Sequence, residues 1–274
     1  MGYFLASDDI SLYFTGEPDV ASKAAIVFLH GLGEHIGRYE AVFEDFSGQG
    51  YGCFGFDQRG FGRSGGERGH VDSFSRYVED LTRFINWVSA EMPGKPILLF
   101  GHSMGSIVVL SYALQRSPVI RGLLVFSCPL LLAQWTGRVF DSLAGSLSAF
   151  FPRLKIPNLI DPDELSDDPE VIKAFKRDRY VEKSVSLSWL REFKGACDNL
   201  CQNASQIVIP VLMAHGSQDR IADIAGAKLL FEKLGSKDKM LDIYEGLKHE
   251  LLNHRASERK QVLEKTFNWL GQHC

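Results

Sequence analysis

The sequence has no basic surplus: 30 Lys and Arg stand against 34 Asp and Glu, a formal charge of −4. Binding a nucleic-acid backbone needs several uncompensated cations, so no nucleic-acid partner is expected. Cysteine is scarce and unpaired, with five in 274 residues. Cys53, Cys128, Cys197, Cys201 and Cys274 are therefore read as reduced thiols. Cys197 and Cys201 lie four apart, which suits one face of a helix, but no second ligand pair accompanies them and no metal site is expected. No run approaches the ~18 apolar residues of a membrane span. Met1-Gly2 fails as a myristoylation signal because Ala6 stands where Ser or Thr is required. No leader is read, so the expected location is the cytoplasm, peripheral to membranes at most. Internal repeats and low-complexity tracts are also missing, which excludes solenoids.

What is present is an ordinary globular composition, 45% hydrophobic and 23% charged, in a length that suits one core carrying an insertion. Short apolar runs alternate with helical patterns through the first half, as in a parallel sheet with crossover helices. Residues 3–6 and 10–14 are predicted to form a hairpin, and 25–30, 53–57, 97–100 and 122–127 to form buried strands. A helix capped by Asp72 should run to Met92-Pro93-Gly94, and another should cover 107–115. From Pro129 to Gln206 the alternation stops. It resumes with a strand over 207–214, a helix over 224–234, a strand over 240–244 and a helix over 258–269. The expected division is a core of residues 1–128 and 207–274 with a helical insertion at 129–206. Inside the insertion Leu132, Trp135, Val139, Leu143, Leu147 and Phe150 recur at spacings of three and four. Residues 161–170 hold six acids and no base, and read as a solvated loop before a helix around 171–180.

Gly101-His102-Ser103-Met104-Gly105 falls between a predicted strand and a predicted helix. A serine on such a turn presents its hydroxyl, and the flanking glycines remove Cβ atoms that would collide with neighbouring backbone. The hydroxyl is a weak nucleophile until a neutral imidazole takes its proton, and the imidazole needs a carboxylate to fix its tautomer. On a sheet of this kind serine, acid and histidine follow in that order, each on the loop after a strand. The loop after 207–214 contains Asp219, and the loop after 240–244 ends at His249. Asp223 is the second choice of acid, with helix capping as its alternative role. His254 is the rival base; five residues beyond His249, it cannot share a metal-binding helix face with it. An acyl-transfer site also needs N–H donors for the oxyanion. Met104 N–H follows the nucleophile at the helix start, and Leu32 N–H lies in the glycine loop His30-Gly31-Leu32-Gly33.

Ser103, Asp219 and His249 in this order, with the His30-Gly31-Leu32-Gly33-Glu34-His35 loop and the Asp57-Gln58-Arg59-Gly60-Phe61-Gly62-Arg63-Ser64 turn, resemble the α/β-hydrolase superfamily. Gly101 to Gly105, His30 to Tyr39 and Tyr244 to Asn253 are most similar to its monoacylglycerol lipase and lysophospholipase group, the S33-like hydrolases. The resemblance spans residues 30 to 254. It implies the α/β-hydrolase fold, a helical cap entering after the strand near Ser127, and a serine esterase for small single-chain lipid esters that needs no cofactor. Glu34 and Arg38 match the group's polar positions near the glycerol end; an ion pair opening the next helix is the alternative. Some members carry a second histidine three residues after the catalytic one, where this chain has Leu252. The stripe with Leu143 and Leu147 either packs the cap on the core or lines an acyl tunnel and touches a lipid surface. A non-catalytic binding protein of this fold could dispense with a triad member, and none is missing here.

Overall fold

The computed structural model describes residues 1–115, 119–131 and 147–274. Its strands are β1 (Gly2–Leu5), β2 (Ser11–Thr15), β3 (Ala25–Leu29), β4 (Gly52–Phe56), β5 (Ile97–His102), β6 (Ile120–Phe126), β7 (Lys155–Pro157), β8 (Ser184–Ser186), β9 (Val211–Gly216) and β10 (Lys239–Tyr244). Among the described residues the α-helices are α1 (Glu40–Gly48), α2 (Ser75–Glu91), α3 (Met104–Leu114), α4 (Pro169–Arg177), α5 (Leu187–Asn203), α6 (Ile224–Lys233) and α7 (Ala256–His273). One sheet runs β1-β2-β4-β3-β5-β6-β9-β10; only the hairpin β1-β2 and its junction with β4 are antiparallel. The chain has the α/β-hydrolase fold, a mostly parallel sheet flanked by helices.

Strand β3 explains the layering. Its residues alternate, with Ala25, Val27 and Leu29 facing one core and Ile26 and Phe28 the other. The first core takes the apolar sides of α2, α3, α5 and α6, and the second those of α1 and α7. With both faces covered, the central strands can be apolar throughout. β3 pairs with β4 on one side and β5 on the other, so the loops after β3 and β5 part at the sheet's carboxyl edge. Such a switch point opens a crevice.

Several boundaries move for local reasons. Asp72 does not cap α2; it meets the His70 ring, and the Phe74 N–H at the helix start goes to Glu192 Oε2 at 3.2 Å. β9 starts at Val211 because Ile207 closes a 3₁₀ turn and Pro210 has no N–H for the ladder. Between β6 and β9, where no strand was expected, β7 and β8 pair antiparallel. Three residues each, one of them Pro157, give no alternation to read. Nor is segment 161–170 simply a solvated loop. Asp161 caps a 3₁₀ turn, Asp168 caps α4, and Leu165 is buried with Phe175 and Val181. α4 stops at Arg177 because Asp178 turns extended. Leu132, Trp135, Val139 and Leu143 lie outside the described residues.

Candidate active site

Ser103 sits between β5 and α3 at φ 51° and ψ −121°. For a residue with a Cβ this conformation costs about 1–3 kcal/mol, so the surroundings must hold it. Ser103 N–H donates to Phe126 O at 3.0 Å, and Ser103 O accepts Ser106 N–H at 2.9 Å and Ser106 Oγ–H at 2.6 Å. The two glycines serve close approach. A Cβ at Gly101 would lie 2.6 Å from Gly105 O, and one at Gly105 would strike the carbonyls of Leu29 and His30 at the end of β3. The elbow is thereby pressed against the loop that carries Leu32.

That loop is held from below. His30 Nδ1 donates to Gly31 O at 2.8 Å and its Nε2 accepts Gln58 N–H at 2.9 Å. Burial lowers the pKa of this ring, which suits the neutral form. Gly31 N–H is consumed by Glu34 Oε1 at 2.6 Å. Met104, as the first residue of α3, has an N–H without an intrahelical acceptor. Leu32 and Met104 both border the cavity against Ser103.

Asp219 and His249 come together after β9 and β10. His249 Nδ1 and Asp219 Oδ2 are 2.7 Å apart, while Asp219 Oδ1 accepts Ile221 and Ala222 N–H at 2.9 Å each. Burial would raise the acid's pKa, but His249, His215 and these N–H groups hold it below the ordinary carboxylate range. His215 Nε2 donates to Ala222 O at 3.1 Å and lies 3.4 Å from Asp219 Oδ2. Asp223 instead caps α6 through Ala225 N–H, and His254 Nε2 accepts Lys248 N–H. His249 and Ser103 wall the same small cavity.

Glu34 and Arg38 are joined in a buried cluster that sequence reasoning saw only in part. Arg38 Nη1 donates to Glu34 Oε2 at 2.6 Å, and the guanidinium forks onto Glu250, a residue not singled out from the sequence. Glu34 Oε1 also receives Tyr39 O–H at 2.9 Å and faces His102 Nδ1 at 3.1 Å. Burial opposes ionisation of Glu34, yet Arg38 and His102 keep its pKa well below the usual value. Burial likewise lowers His102, and Glu34 more than offsets this and raises it. Both His102 ring nitrogens face acceptors, Glu34 and His249 O, which the imidazolium satisfies.

The cavity that Leu32 and Met104 border against Ser103 is mainly apolar, lined further by Pro129, Leu159, Ile160, Trp189, Phe193 and Ile221, with Asn158 beside them. Leu147 does not border it in the described structure. It is 43% exposed and belongs to a run of outward apolar side chains with Phe150, Phe151, Leu154 and Leu159. Among the described residues no helix is long and apolar enough to cross a membrane, and no group of three or more His, Cys, Asp or Glu side chains is arranged to hold a metal.

The profile of the family described as serine aminopeptidase, S33, matches residues 20–256. A monoacylglycerol lipase of Mycolicibacterium smegmatis is 34% identical over 264 residues, covering 96% of this chain and 93% of that protein. The crystal structure of Paleococcus ferrophilus monoacylglycerol lipase superposes with a TM-score of 0.87 at 30% identity, over 96% of this chain and 99% of that one. A soluble variant of Saccharomyces cerevisiae monoglyceride lipase, solved with a substrate analog, gives 0.89 at 25% identity over 99% and 94% of the two chains.

Proposed function

This chain belongs to the serine aminopeptidase S33 family and is a serine ester hydrolase of the monoacylglycerol lipase type; from that premise we propose that Ser103, His249 and Asp219 hydrolyse single-acyl-chain lipid esters, monoacylglycerols first among them. Ser103 Oγ attacks the ester carbonyl as its proton passes to His249 Nε2, the nitrogen left free by the bond to Asp219. Leu32 and Met104 N–H meet the oxyanion. Collapse expels the alcohol, which takes the proton from His249. Water then repeats the sequence on the acyl-serine and releases the fatty acid.

The observation that carries the reading is the pair of spaces meeting at Ser103, one mainly apolar and one where Glu34, Arg38, His102, His249 and Glu250 join Leu32, Ile160, Leu165 and Phe175 in the wall. The apolar space suits the acyl chain. On the polar side Arg38 is already shared by two carboxylates, so a phosphate head would find no free cation among the described groups there. An uncharged glycerol head fits better than a phosphodiester. Residues 1–128 and 207–274 act as the hydrolase core and 129–206 as its cap, whose outward apolar side chains rest on a lipid surface during substrate uptake.

Hydrolysis of a panel of monoacylglycerols, lysophospholipids and p-nitrophenyl esters tests the assignment. Release of glycerol and fatty acid at a higher kcat/KM than any lysophospholipid is expected. Preference for lysophospholipid would overturn the head-group reading, and failure of a fluorophosphonate to label Ser103 would overturn the triad.

A further inference from the structure

We propose that Glu250, the residue after His249, is a positioning residue that locks the three loops around Ser103 into one register; this rests on the triad reading above. Its buried carboxylate takes a forked pair from Arg38, at 2.6 Å on Oε1 and 2.8 Å on Oε2, and Asn253 Nδ2 donates to Oε2 at 2.8 Å. Arg38 continues to Glu34 Oε2 at 2.6 Å, and Glu34 Oε1 binds Gly31 N–H at 2.6 Å and His102 at 3.1 Å. Gly31 immediately precedes Leu32, and His102 precedes Ser103. His102 Nε2 then returns to the carbonyl of His249 at 3.3 Å, which closes the circuit. The oxyanion loop, the nucleophile elbow and the base loop thus each give residues to one cluster.

Two carboxylates and two cations compensate each other, with Glu34, His102 and Glu250 buried and the Arg38 side chain 10% exposed. Such a cluster is rigid because loosening any member leaves another charge unpaired out of water. The backbone of Glu250 is pinned as well, its N–H donating to Leu165 O at 2.8 Å. Rigidity at this point sets the placement of the adjacent imidazole, and a misplacement of about 1 Å can cost on the order of a hundredfold in rate.

The test is Glu250→Gln, which keeps the shape and leaves Arg38 paired with Glu34. It is assayed on 1-oleoylglycerol and on p-nitrophenyl acetate, which has no glycerol head. A fall in kcat of about tenfold or more on both substrates is expected, with KM little changed and fluorophosphonate labelling of Ser103 slowed in parallel. Arg38→Gln should behave alike, and the double variant should lose less than the product of the two singles. Should Glu250→Gln fail to fold, Asn253→Ala removes one hydrogen bond without uncovering a charge, and a smaller fall in kcat on both substrates is expected. Wild-type kcat on both substrates in the folded variant overturns the proposal. So does a KM rise confined to 1-oleoylglycerol, which would make Glu250 a head-group contact. An unlabelled wild-type Ser103 would instead sink the triad reading and is read separately.

Discussion

A serine, a histidine and an aspartate in contact do not by themselves make a nucleophile. His70 lies 2.7 Å from Ser186 Oγ and 3.0 Å from Asp72 Oδ1, the same residue types as the proposed triad. Yet Ser186 is fully buried and its Oγ already accepts Trp189 N–H at 3.0 Å as the cap of α5. Ser103 also stands at a helix start but differs in two respects that matter: a positive φ that lifts it from the strand and a cavity before it. Ser103→Ala and His249→Ala are each expected to lower kcat by roughly a millionfold, and Asp219→Asn by about ten-thousandfold. Mass spectrometry of fluorophosphonate-treated Ser103→Ala should find Ser186 unmodified; a label there would refute this distinction. The proposed triad was legible because each member follows a strand in a fixed order. Glu250 was not, since its partner Arg38 lies 212 positions away and no local pattern joins them.

At the scale of elements, legibility followed the length of the apolar pattern. The strands of the main sheet and α2 carry enough periodic residues to declare themselves. Strands β7 and β8 exist because two three-residue segments meet each other and Gly69, where a Cβ would strike the Ser184 carbonyl oxygen and whose φ is +56°. The start of α2 depends on Glu192, in a helix that begins more than a hundred residues later. The run from Leu147 to Leu159 is the inverse case, an apolar pattern that the described structure leaves uncovered, with Phe150 80% and Phe151 59% exposed. Exposed side chains of this kind contribute within about 0.5 kcal/mol to stability, so replacing them separates docking from folding. Phe150→Ser with Phe151→Ser should weaken sedimentation with phosphatidylcholine vesicles and slow long-chain monoacylglycerol hydrolysis, while p-nitrophenyl acetate turnover and Tm hold. Parallel loss of all four would mean that these rings pack the fold and do not meet lipid.

For the molecule as a whole, the buried charges around Ser103 make stability depend on pH from two sides. The folded pKa values of Glu34 and Asp219 lie below the ordinary range, where burial is outweighed by their cationic partners and hydrogen bonds. Their contribution is present above the unfolded carboxylate value of about 4 and is lost as pH falls through the lower folded values. His102 has the opposite sign. Its folded pKa is raised, against burial, by Glu34, so its contribution is full below the unfolded histidine value of about 6.5 and fades as pH rises through the folded one. Between these limits the cluster holds all its charges, and the register it imposes on the three loops is at its firmest. Urea unfolding across pH should therefore show the midpoint declining on both sides of that window. Glu34→Gln removes one acid whose folded value is depressed and the partner that raises His102, so its midpoint should lie lower inside the window and change less steeply toward either end. Profiles of equal steepness, merely displaced, would show that the cluster's charges do not govern how the fold responds to protons.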